Sequence, residues 1–105
     1  MIVIHQSDAG QTFTVQVGDR IEVWLEERPS TGYSWQFETD HNRFLVLDSS
    51  FHGDSTIPGG NGTRRFQLEA IAPGESSIVF RLIQPWDNGA EAIDQFQITV
   101  RVIGN

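Results

Sequence analysis

With no cysteine among its 105 residues, the chain has no thiolate, and any nucleophilic or acid–base work would fall to hydroxyls, histidines and carboxylates. None of these forms a working pattern. A serine elbow of the G-x-S-x-G type is missing. His5, His41 and His52 lack metal-ligand spacing and fall in expected loops or strand ends. Asp48 with Asp54, and Glu26 with Glu27, are close in sequence, but nothing in the pattern sets either pair in a cleft, as acid–base hydrolysis requires. No catalytic residue, metal ligand or cofactor is expected, and the chain is not read as an enzyme. Three segments do stand out: RPSTGY at 28–33, PGGNGT at 58–63 and QPWDNG at 84–89. Their chemistry is that of recognition. Proline fixes φ, glycine lets a second backbone come close, and a stiffly held tryptophan can anchor an interface.

Each segment has a plainer reading beside the sharper one. In 28–33, Pro29 and Gly32 suit a well-made turn, with Tyr33 and Trp35 packing at the end of the fold. The sharper reading is a narrow, stiff wedge in which Ser30 and Thr31 present small polar tips and Gly32 removes bulk. In 58–63, Asn61-Gly62 is a strong turn dipeptide, while Gly59, Gly60 and Gly62 would also permit backbone contact with a partner. No lysine follows and no helix opens there, so a phosphate loop is excluded. Asn61-Gly62-Thr63 also matches a glycosylation acceptor, which matters only in a eukaryotic secretory setting. In 84–89, Trp86 either folds back on the core or stands exposed on a loop stiffened by Pro85.

Such segments act together only if the fold gathers them. Phe13, Val15 and Val17 alternate with polar neighbours, as do Ile21, Val23 and Leu25, then Phe66, Leu68 and Ala70, then Phe96, Ile98, Val100 and Val102. That period of two means strands, and no window carries a helical repeat over three turns. The run SIVFRLI at 77–83 is apolar on both faces over part of its length, as a central strand would be. Strands are expected at about 12–17, 20–27, 34–38, 44–48, 63–72, 75–83 and 92–102, with a short one at 2–4. Gly18-Asp19, Asp40-His41-Asn42 and Pro73-Gly74 punctuate them. Seven or eight strands without helices point to an all-β, immunoglobulin-like sandwich lacking the usual Cys…Trp…Cys signature. One domain, 1–105, fits the length. If strands alternate in direction, the short connections 18–19, 39–43 and 73–74 gather at one end. The long ones, 28–33, 49–62 and 84–91, gather at the other, so all three segments share a rim.

The net charge of −7, with seven arginines and no lysine, works against nucleic acid or anionic membrane as a partner. No apolar run approaches the roughly 20 residues of a membrane span, and no basic n-region with an apolar core is visible near Met1. The expectation is a soluble, monomeric protein, cytoplasmic as the chain stands and periplasmic or secreted if a leader was removed.

The three segments, in this order, resemble the motifs of the chagasin family, proteinaceous inhibitors of papain-like cysteine proteases. The family carries NPTTGY or NPTTGF in its first loop, GXGG in its second and RPW or RPF in its third. Pro29, Thr31, Gly32 and Tyr33 match the first, with Arg28 at the Asn position and Ser30 at the first Thr. Gly59 and Gly62 match the second, with Asn61 replacing a glycine. Pro85 and Trp86 match the third, with Gln84 at the Arg position. The resemblance implies a reversible inhibitor whose three loops plug the protease cleft. The loop around Thr31 would lie over the catalytic Cys-His pair, and Gly59, Gly60, Asn61 and Gly62 would run along the cleft as extended backbone. Trp86 would pack on an aromatic surface beside the catalytic His. The alternative is a carbohydrate-binding or adhesive sandwich that uses Trp24, Trp35 and Trp86 as stacking platforms.

Overall fold

Ile21, Val23 and Leu25 lie on one face of a strand and are fully buried, as their spacing demands. The computed structural model describes residues 1–53, 62–84, 86 and 91–104. Among these, the strands are β1 (Ile2–His5), β2 (Thr12–Gln16), β3 (Arg20–Glu27), β4 (Ser34–Glu38), β5 (Phe44–Gly53), β6 (Gly62–Ala70), β7 (Gly74–Ile83) and β8 (Asp94–Ile103). They form two four-stranded sheets, ordered β1-β3-β6-β5 and β2-β8-β7-β4. This is the expected immunoglobulin-like sandwich. The strand expected to be central, β7, lies inside its sheet, between β8 and β4.

The inward faces close a core in which Phe66 of the first sheet meets Phe37 and Phe80 of the second, with ring centroids 5.0 and 5.1 Å apart. Phe80 in turn stacks on Phe96 at 5.8 Å. Aromatic contacts of this kind add about 0.5–1.5 kcal/mol each beyond the area they bury, so the cluster fixes how the two sheets face one another.

One boundary differs clearly from the sequence reading. β5 continues to Gly53 instead of ending at Asp48. The polar stretch after Leu47 reads as loop, but its backbone pairs with β6 from Asp48↔Gln67 to Gly53↔Gly62. A register shift between Val46 and Asp48 lets the strand carry Leu45, Val46 and Leu47 in succession, because a bulge re-phases the two faces. The middle loop is correspondingly shorter, and Gly62 and Thr63 open β6.

The short connections do collect at one end. The Gly18 amide donates to Ala70 O at 2.8 Å, and the Ile71 amide donates to Arg43 O at 2.8 Å. Arg43 clamps the two sheets there, donating through Nε to Pro73 O at 3.1 Å and through Nη1 to the Ser76 hydroxyl. Gly74 makes room for it: φ is +132°, and a Cβ would stand 2.6 Å from Arg43 Nε. Gly74→Ala is therefore expected to destabilise the fold by more than about 1 kcal/mol, a fall in melting temperature of roughly 4–8 °C that calorimetry would record.

Candidate functional site

The strand registers decide where the long connections emerge. In the first sheet Glu27, Gly62 and Gly53 lie in one row, since Gly62 pairs with both of the others. In the second sheet Ser34 pairs with Ile83, and Leu82 with both Trp35 and Asp94. The first loop thus crosses from one row to the other, the middle loop joins two positions of the first row, and the third leaves and rejoins the second. All three arise at the end opposite Arg43.

The first loop is braced by its own hydroxyl. Residues Pro29–Thr31 form one 3₁₀ turn. The Thr31 amide and Thr31 Oγ1 both donate to Arg28 O, at 3.1 and 2.7 Å, and Oγ1 accepts the Tyr33 amide at 3.3 Å. Gly32 follows with φ +80°, a conformation that side chains bearing a Cβ rarely adopt. The indole of Trp86 lies directly over it. A Cβ at Gly32 would collide with Cη2 and stand 3.1 Å from Cζ2. Trp86 remains 69% exposed, so one part of its surface covers the first loop and the rest faces outward.

Beneath that contact is a recess of about 350 Å³ lined by Glu27, Gly32, Tyr33, Phe51, Arg64 and Trp86, among others. These residues come from the bases of all three loops. Among these residues Glu27, only 3% exposed, accepts the Trp35 amide at 2.8 Å and Arg64 Nε and Nη2 at 3.0 and 2.8 Å. Trp35 Nε1 donates to Glu26 O at 2.7 Å. The Arg64 guanidinium also lies 5.8 Å from the Phe51 ring centroid.

Residues 14–100 match the family described as "Chagasin family peptidase inhibitor I42". The chain belongs to the chagasin family. It is 29% identical to Chagasin of Trypanosoma cruzi, an alignment covering 93% of this chain and 94% of that protein. It is 24% identical to Amoebiasin-2 of Entamoeba histolytica over 93% of this chain and 82% of that one. The fold superposes with a TM-score of 0.87 on the crystal structure of the cysteine protease inhibitor EhICP2 from Entamoeba histolytica, at 23% identity and covering 96% and 94% of the two chains.

For a chagasin-family rim, the residues singled out by sequence are distributed as follows. Ser30, Thr31, Gly32 and Tyr33 lie in the braced loop, as does the backbone of Pro29. Gly62 sits at the first position of β6, hemmed in by Phe51 and by His52 O, which a Cβ would approach to 2.6 Å. Trp86 meets Gly32. Gly59, Gly60, Asn61 and Pro85 lie outside the described residues. Thr31 is exposed, and its hydroxyl has a second role that the sequence does not announce, because the 3₁₀ turn brings it onto Arg28 O. Glu27, Arg64 and Phe51 were not singled out as site residues, although a signal existed. Glu27 continues the inward alternation of Ile21, Val23 and Leu25, and Arg64 precedes that of Phe66, Leu68 and Ala70, so both charges stand where apolar residues belong.

Removing the Thr31 brace gives a direct check. Thr31→Val keeps the shape and deletes both hydroxyl contacts, each worth about 0.5–1.5 kcal/mol. The inhibition constant against a papain-like enzyme should rise roughly fivefold to a hundredfold if both losses, about 1–3 kcal/mol together, appear in binding, and Thr31→Ser should recover most of it.

Proposed function

We propose that this chain is a reversible, competitive inhibitor of papain-like cysteine proteases. In this reading one inhibitor domain, spanning 1–105 and acting as a monomer, presses its three-loop rim into the active-site cleft. The observation that carries the reading is the packing of Trp86 on Gly32, which joins two segments more than fifty residues apart into one edge. Pro29, Ser30, Thr31, Gly32 and Tyr33 would enter the cleft at the catalytic pair. Gly59, Gly60, Asn61 and Gly62 would run beside the protease main chain, where the absence of a side chain at each glycine lets the two backbones come close. Pro85 and Trp86 would rest on the wall beyond. An interface of roughly 1,600 Å² is the usual size for such a complex.

The rim would block without being cut. Hydrolysis needs the reacting atoms about 3–3.5 Å apart and aligned, and a loop tied back on itself through Thr31 resists adjusting to that geometry. Rigidity also lowers the ordering cost of association. With no cysteine, the fold requires no oxidising compartment; it suits the cytoplasm, and equally the periplasm or the outside of the cell if a leader is removed.

The carbohydrate-binding alternative is not favoured. Trp35 is buried, with 2% exposure. The Trp24 indole donates to Glu22 at 2.6 Å and has the Arg65 guanidinium 5.8 Å from its ring centroid, so its face is already occupied. That leaves Trp86, at a loop rather than on a sheet face. The test is titration into papain or a cathepsin L-like enzyme. Competitive loss of peptide hydrolysis, with the chain recovered intact, is the expected result. Absence of inhibition across several such enzymes at micromolar concentration would refute the proposal.

A further inference from the structure

We propose that Glu27 and Arg64 form a positioning pair whose role is to hold the stems of the first and middle loops in one fixed relation. The inference rests on the inhibitory reading of the rim. Each sheet is held by its own hydrogen-bonded ladder, but a ladder does nothing to fix one sheet against the other. At the far end Arg43 spans the gap. At the rim the Glu27 carboxylate does so, taking Arg64 of its own sheet on Oε2 and the backbone amide of Trp35, in the opposite sheet, on Oε1.

Both charges occupy inward positions that the core pattern would give to apolar side chains. Leu25 pairs with Arg64, Glu26 with Thr63 and Glu27 with Gly62, so the ion pair runs diagonally across the last three rows of the sheet. Burying such a pair is a poor route to stability, since apolar residues of similar volume commonly do as well or better. What the pair supplies is direction. Trp35 lies two residues after Tyr33 and Arg64 two residues after Gly62. The carboxylate therefore sets the end of the first loop against the end of the middle loop. Both side chains of the pair line the recess that Gly32, Tyr33 and Trp86 also line.

This separates shape from stability. Glu27→Leu combined with Arg64→Leu should melt at or above the temperature of the parent protein. Its inhibition constant against papain should nonetheless rise about tenfold, through faster dissociation with association little changed. Amide hydrogen exchange in the free protein should accelerate at Thr31–Ser34 and at Gly62–Arg64, and stay slow in β7 and β8. Glu27→Gln, which keeps the shape of the side chain, should show the same exchange pattern more weakly and serves if the double variant fails to fold. If the double variant regains stability and full inhibition together, or if rim exchange matches the parent in both variants, the proposal is overturned. Exchange needs no protease, so a parent that fails to inhibit papain would sink the inhibitory reading while the exchange data still decide the role of the pair.

Discussion

Gly32→Ala should raise the inhibition constant about a hundredfold and lower the melting temperature by only a few degrees. Two separate effects combine. At φ +80° an L-side chain costs roughly 1–2 kcal/mol. The new Cβ would also occupy the place of Trp86 Cη2. Because the indole is mostly exposed, it can swing away at little cost to folding, and the exposed loop can relax into an ordinary turn. Each of those escapes changes the edge that meets the protease. The strain and the misplaced anchor then appear in binding, where about 2.7 kcal/mol is a hundredfold. Stopped-flow or progress-curve inhibition against papain, set beside a thermal melt, would separate the two. A loss of inhibition no larger than the loss of folding stability would mean that the Gly32–Trp86 contact has no role in the interface.

The sandwich was legible because strands with one buried face must alternate, and these do: Ile21, Val23 and Leu25 are all buried, as are Ile98 and Val100. The rim was legible from direction alone, since alternating strands leave long connections at one end. Other features followed rules that alternation does not express. β5 extends through Asp48, Ser49 and Ser50 because β6 offers it partners, and a paired backbone does not need apolar side chains. Alternation already sets Glu27 and Arg64 on the inner face, but it does not show what neutralises them there: the register brings them together, and the Trp35 amide completes the partners that make burial of the carboxylate tolerable. Thr31 reads from sequence as a polar tip, and the bond from its hydroxyl to the carbonyl of Arg28, which depends on the 3₁₀ turn, makes it a brace as well. The placement of Trp86 depended on the shape of the neighbouring loop, which no periodicity encodes.

Trp86→Ala should weaken inhibition by about 1–3 kcal/mol, the range of a tryptophan hot spot, without measurable loss of fold, since 69% of the residue is already exposed. The sharper test couples it to Gly32. If the indole acts as one unit with the first loop, the two substitutions cannot be additive. Once Trp86 is truncated, a Cβ at Gly32 meets no ring, and only the backbone strain remains. Gly32→Ala should then cost less in the Trp86→Ala background than in the parent, with an interaction energy within the 0.5–3 kcal/mol typical of residues in contact. Four inhibition constants, measured against one enzyme at one salt concentration, complete the cycle. Strict additivity would mean that the two loops touch the protease independently. A non-additive result would establish that the first and third loops engage as a single surface, and that the glycine is required because the ring lies on it.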